Sequence, residues 1–239
     1  LACTRINETY AELAAKYSNL GAFARIPVVS NRDLALKEIE YALDILHLDG
    51  ILLPVSVFGV YPSSGPYLEV YKEMEKRKGT IFFHPFVSEE QIENNEEKRC
   101  VLIQDITRAT FELALNRLPI RFPGIHFIMS YSGGNVPYLL KDNGPDQAHS
   151  SATHGKHPLP QGLKKHFEGI YYDTCSLART GFIEKADVFP NKERILYGSN
   201  FPYSTIETAR TEMEKLNRYR DDGQIYMDET CGEDSSFLL

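Results

Sequence analysis

The sequence predicts a parallel α/β fold of the (β/α)8 TIM-barrel type, on three observations. Short apolar, β-prone runs alternate with helical periodicities. No glycine-rich nucleotide loop follows the first strand. The unusual polar residues fall directly after strands, where a barrel gathers them at one mouth.

Taken in order, residues 6–17 place Tyr10, Leu13, Ala14 and Tyr17 at helical spacing, and 22–29 is short, apolar and β-prone. Asn31 is placed to cap a helix whose apolar positions Leu34, Leu36, Ile39, Ala42, Leu43 and Leu46 stop before Asp49 and Gly50. A buried strand at 51–53 follows. The alternation continues with a helix over 67–78, ended by Gly79, and a strand over 80–83, then a helix over 106–118 and a strand over 126–129. A fifth, weaker cycle has a short helix at 134–141, a long Gly-, Pro-, Ser- and His-rich loop at 142–160, a segment at 163–167 and a strand at 170–172. The sixth runs from 177–186 through a strand at 194–197 into a helix at 207–219, and the tail after Asp221 reads as frayed. Strands this continuously apolar are buried on both faces, as in parallel sheets.

The 239 residues carry 26 basic and 33 acidic side chains, a formal charge of −7, so the basic stripe that nucleic acid requires is absent. No run approaches the ~18 to 20 apolar residues of a membrane span, and no leader pattern opens the chain. Cys3, Cys100, Cys175 and Cys231 lie far apart with no CxxC pair, which suits a reducing compartment and a cytoplasmic address. Asn7 begins an Asn-x-Thr sequon, a match common by chance.

Neither a phosphate-cradling G-x-x-x-x-G-K-[ST] loop nor a G-x-S-x-G elbow is present. The strand ends instead carry Pro54, Ser56, His84, Tyr131, Ser132, Asp173 and Asn200. His84, Tyr131 and Asp173 are the candidate catalytic residues, and Ser56, Ser132, Asn200, Phe201 and Tyr203 the candidate substrate-binding ones. Each has a structural alternative. His84 can be a satisfied buried imidazole, Tyr131 a core aromatic with a wet hydroxyl, Asn200 a turn residue before Pro202, and Asp173 a group that orients a neighbour. Tyr61, Phe86 and Phe201 could stack on a planar ring or simply pack. His149, His154 and His157 lie in a polar loop, and the Glu-rich stretch 89–99 reads as a solvated face or a lid.

Four segments carry a resemblance: Ile81-Phe82-Phe83-His84-Pro85, Ile128-Met129-Ser130-Tyr131-Ser132-Gly133-Gly134, Tyr171-Tyr172-Asp173-Thr174, and Ile195-Leu196-Tyr197-Gly198-Ser199-Asn200-Phe201-Pro202-Tyr203. Between about Asn7 and about Arg220 the chain resembles the decarboxylase branch of the amidohydrolase superfamily, the group of aminocarboxymuconate-semialdehyde decarboxylase and of the fungal 6-methylsalicylate decarboxylase type. Residues 38–44 with Asp49-Gly50, and Arg121-Phe122-Pro123, match that pattern too. The resemblance implies a single (β/α)8 barrel domain over 1–239, often dimeric, in which an aromatic or unsaturated acid loses carbon dioxide. It also implies a divalent metal held by an H-x-H, a His-Pro histidine and a GSD aspartate, with the histidine of H-x-G-G assisting proton transfer.

The pattern departs from the family at several places. His84 keeps the His-Pro position, but H-x-G-G reads Tyr131-Ser132-Gly133-Gly134 and GSD reads Gly198-Ser199-Asn200. No H-x-H precedes Tyr10, and the chain, opening on Leu1, begins where the family's third β/α unit would, so about two strands are expected to be missing. The expectation is therefore no metal cofactor, with His84 and Asn200 as vestigial ligand positions, and Zn or Mn only if an H-x-H lies outside the chain. Three functions follow: a metal-independent lyase, dehydratase or cyclase on an aromatic or polyketide-like acid, with His84 as base and Tyr131 as acid; a metal-dependent non-oxidative decarboxylase; or a non-catalytic ligand-binding relative.

Overall fold

A computed structural model describes residues 2–28, 31–57, 59–85, 95–142, 163–175, 189 and 191–221. The segment 177–186 that opens the sixth cycle, the histidines 149, 154 and 157, Phe86, Cys231 and the acidic stretch up to residue 94 lie outside the described residues. Six parallel strands form one sheet in sequential order: β1 (Phe23–Arg25), β2 (Gly50–Pro54), β3 (Thr80–His84), β4 (His126–Met129), β5 (Ile170–Asp173) and β6 (Ile195–Leu196). Sequential parallel pairing is the arrangement of a (β/α) barrel, and β1 and β6 are its two ends.

Helix α1 (Ala2–Lys16) precedes β1, α2 (Arg32–Glu40), α3 (Gly65–Arg77), α4 (Asn95–Leu115), α5 (Leu118–Arg121) and α6 (Val136–Asp142) lie between strands, and α7 (Ile206–Asp221) follows β6. Asn31 caps α2 as expected, its Oδ1 accepting from Leu34 N–H at 3.0 Å. The chain then winds on as a π turn, Tyr41–Ile45. Lys78, at φ +49°, rather than Gly79 takes the left-handed position that ends α3. Helix α4 begins at Asn95, so the end of the Glu-rich stretch is helical.

The pleat sorts the sheet into two faces. Ala24, Ile51, Ile81, Phe127 and Ile170 stand in one row, all fully buried against the helices. Phe83, Phe127 and Tyr71 extend this core as an aromatic cluster, with centroids 6.5 Å apart for Phe83–Phe127 and 5.7 Å for Tyr71–Phe127.

Helix α1 packs Tyr10 and Ala11 against the core and leaves Leu13 exposed, as is Tyr17 just past its end; the residue it buries completely is Asn7. The carboxamide of Asn7 accepts from Arg25 N–H (2.8 Å) and donates to Arg25 O (3.0 Å) and Glu38 Oε1 (2.7 Å). It thus mimics a peptide group against the outer edge of β1, where unpaired backbone would otherwise be exposed. The sequon at Asn7 is a structural asparagine in the folded chain.

Candidate active site

The strand ends bring together most of the residues singled out by sequence. His84 closes β3, and Tyr131 follows β4 by two residues, with their ring centroids 6.4 Å apart. The Tyr131 hydroxyl donates to Asn200 Oδ1 at 3.3 Å, which ties the end of β4 to the turn after β6.

The backbone after β4 explains how Tyr131 is aimed. Tyr131, Ser132, Gly133 and Gly134 all have positive φ, +49°, +58°, +71° and +69°. Two of these are non-glycine residues in a region L-residues rarely adopt. Asp173 stabilises the turn: its Oδ1 accepts from Ser132 N–H (3.4 Å) and Cys175 N–H (3.1 Å), and its backbone oxygen accepts from the Ser132 hydroxyl (2.9 Å). A Cβ on Gly133 would meet the Tyr172 ring at 2.7 Å, so the close approach demands glycine.

Electrostatics divides the roles. Nδ1 of His84 lies 3.0 Å from Pro85 O. A carbonyl can only accept, so Nδ1 carries the proton and Nε2 keeps its lone pair. Burial holds the imidazole below its ordinary pKa, against the Pro85 contact, and Arg25 adds to the lowering. Burial likewise pushes the Tyr131 phenol well above its ordinary range, with Cys175 and Asp173 adding. Asp173 is raised to about 7 by burial, against the lowering effect of its backbone donors.

Other candidates take different places. Ser132 is buried and belongs to the turn. Ser56 gives its hydroxyl to Asp105 Oδ2 (2.8 Å), and Tyr61 donates to Asp105 Oδ1 (2.6 Å), so both lock the β2–α3 connection onto α4. Phe201 is 39% exposed and Tyr203 83% exposed on the turn after β6. Sequence reasoning missed Arg25 and Cys175. Arg25 had a signal, a lone cation in an otherwise apolar run; Cys175 had none beyond its nearness to Asp173.

The amidohydrolase family profile matches residues 1–223. A decarboxylase, MacB, of Penicillium terrestre is 26% identical over 84% of this chain, and the 6-methylsalicylic acid decarboxylase AcuB of Aspergillus aculeatus is 28% identical over 76%. The chain spans 63% and 57% of the length of these two relatives. Among solved structures, a dihydroxybenzoic acid decarboxylase from Polaromonas sp. JS666, with bound manganese and 2-nitroresorcinol, superposes with a TM-score of 0.76 at 20% identity, covering 96% of this chain and 73% of that one. This likeness shows the fold.

That structure also corrects one expectation. A neighbour of the same fold holds manganese, so the reading of this site as one that works without a metal cofactor does not stand. The residues described here do not by themselves make up such a site. His84 offers one ring nitrogen, the oxygen of Asn200 carries no charge and already accepts from Tyr131, and no group of three or more His, Cys, Asp or Glu is gathered among the described residues. By the profile match over nearly all of its length, the chain belongs to the amidohydrolase family.

Proposed function

We propose that this chain serves a non-oxidative carboxy-lyase acting on a small aromatic acid. The observation that carries the reading is the meeting of His84, Tyr131 and Asn200 at one mouth of the sheet, in a chain whose relatives are named decarboxylases. That likeness narrows the broader expectation of a lyase, dehydratase or cyclase to cleavage of a carbon–carbon bond.

In such a reaction the ring–carboxyl bond breaks, its electron pair stays on the ring, carbon dioxide departs, and a proton is added to the same ring carbon. Tyr131, holding its proton firmly at neutral pH, acts as a hydrogen-bond donor to a substrate oxygen rather than as an acid. His84, neutral and with Nε2 bearing the lone pair, relays the proton. Asp173 acts behind them by holding the turn that carries Tyr131.

The test is to incubate the chain with 6-methylsalicylate and with 2,6-dihydroxybenzoate, with and without manganese, and to measure carbon dioxide and the ring product. Release from at least one acid is expected, falling by about 10²-fold or more in His84→Gln and in Tyr131→Phe. No release from either acid, or unchanged turnover in both variants, overturns the reading.

A further inference from the structure

Arg25 is the one lysine or arginine within the described strands. Its row runs Arg25, Leu52, Phe82, Ile128, Tyr171 across five strands, on the face of the sheet turned away from the buried helix-facing row. His84 stands two residues beyond Phe82 and so shares that face. The ring contact between Phe23 and Phe82, 5.9 Å between centroids, confirms that this parity of β1 and that of β3 point the same way.

The backbone of Arg25 is held by Asn7, so its side chain is not needed to keep β1 in place. Its guanidinium has no ion pair or hydrogen bond among the described residues, although the residue is half-buried. The acid of this corner, Glu38, is already engaged by Asn7 Nδ2 (2.7 Å) and the Thr4 hydroxyl (2.6 Å). A half-buried guanidinium without a partner among the described residues, on the sheet face shared with His84, is an anion site in need of its anion. The charge of Arg25 is also felt at His84, where it helps hold the imidazole low.

We propose that Arg25 anchors the carboxylate of a planar aromatic acid by a bidentate guanidinium pair, with the ring lying along the Phe82–His84 side of the mouth. The proposal deepens the carboxy-lyase reading and rests on it. The β1 and β3 backbones are two strand spacings apart, about 10 Å, a gap that a benzoate-sized acid bridges. The planar fork of arginine matches a carboxylate in a way that the point charge of lysine does not. Loss of the carboxylate as neutral carbon dioxide removes the anion from the pair, so the ring product is held less tightly than the acid.

The test is calorimetric binding of salicylate and of salicylamide, the same ring with and without the anion, to the wild-type chain, Arg25→Gln and Arg25→Lys, each first shown to melt as the wild type does. Salicylate is expected to bind the wild type at least tenfold more tightly than salicylamide. Arg25→Gln should erase that preference and leave salicylamide binding unchanged, and Arg25→Lys should restore part of it. If wild type and Arg25→Gln bind both compounds alike, the role of Arg25 is overturned while an aromatic-acid mouth stands. If the wild type binds neither compound, both readings fall together.

Discussion

The two faces of the sheet are built from the same strands and behave differently. On the helix-facing side, one row reads Ala24, Ile51, Ile81, Phe127 and Ile170, every member fully buried and apolar. On the opposite side, one residue along, the row reads Arg25, Leu52, Phe82, Ile128 and Tyr171, and its members other than Ile128 are only half-buried. The first face is a packing problem already solved within the chain. The second carries a cation without a described partner and an imidazole, with a phenol beside it, the groups on which the proposed carboxy-lyase reading rests. On the proposed reading stability resides on one side of each strand and recognition on the other, although a single residue step separates them.

The sharpest way to break this comparison is to truncate neighbours on β3. Phe83, fully buried between Phe127 and the helices, is expected to lose about 3 to 5 kcal/mol of stability as Phe83→Ala. Phe82→Ala, on the half-buried face, should lose clearly less in urea unfolding while weakening salicylate binding. Equal losses from the two variants would erase the distinction between the faces.

Asp173 gives the next largest effect, and a signed one. Its folded pKa is raised to about 7 from the ordinary aspartate range. A raised pKa contributes stability that is fully present below the unfolded value, near 4, and is lost as pH rises through 7. The wild type is therefore expected to lose on the order of a few kcal/mol between pH 4 and pH 7 from this group. Asp173→Asn should match the wild type near pH 4 and be the more stable protein at pH 8. Parallel stability curves for the two proteins would show that Asp173 is charged in the fold across the whole range.

How much of this was legible depends on what kind of force sets each feature. The strand over 126–129 and the cap at Asn31 could be read because local apolar patterning and a local hydrogen bond decide them. His84, Tyr131 and Asn200 were legible as a group because barrel topology carries strand ends to one mouth. The helix over 6–17 was legible too, but the exposure of Leu13 and Tyr17 was not, because helical spacing says which residues share a face, not whether anything covers that face. The structural role of Asn7 could not be read from its sequon, because its partners, Arg25 and Glu38, are 18 and 31 residues away. Ser56 was placed in the mouth by its position after β2, but its hydroxyl is taken by Asp105 on α4, a contact no local pattern encodes. The manganese of a fold neighbour was out of reach of the ligand count made along this chain.

The Asn7 bridge predicts a moderate effect. Asn7→Ala removes three hydrogen bonds and leaves Arg25 N–H, Arg25 O and Glu38 Oε1 without that partner at the edge of β1. A loss of about 1 to 3 kcal/mol is expected. Asn7→Asp should not rescue it, because a carboxylate cannot donate to Arg25 O and would face Glu38. Faster amide exchange confined to β1 would be the local signature, while binding at the mouth through the Arg25 side chain would weaken only as far as β1 loosens.

The smallest expected change in stability belongs to Tyr131→Phe, and its smallness is what makes it informative. The lost bond to Asn200 Oδ1 is long, at 3.3 Å, and part-buried, so the cost is about 0.5 to 1.5 kcal/mol. The ring stays, and with it the contact to His84 and the left-handed turn, which depends on Asp173, Gly133 and Gly134 and not on the phenol oxygen. Thermal melts of the variant should therefore shift by only a few degrees, while carbon dioxide release falls far more than so small a loss of stability can explain. If turnover declines only in proportion to the folded fraction, the hydroxyl serves the β4–β6 tie alone, and the division between a stabilising face and a recognising face does not extend to the strand ends.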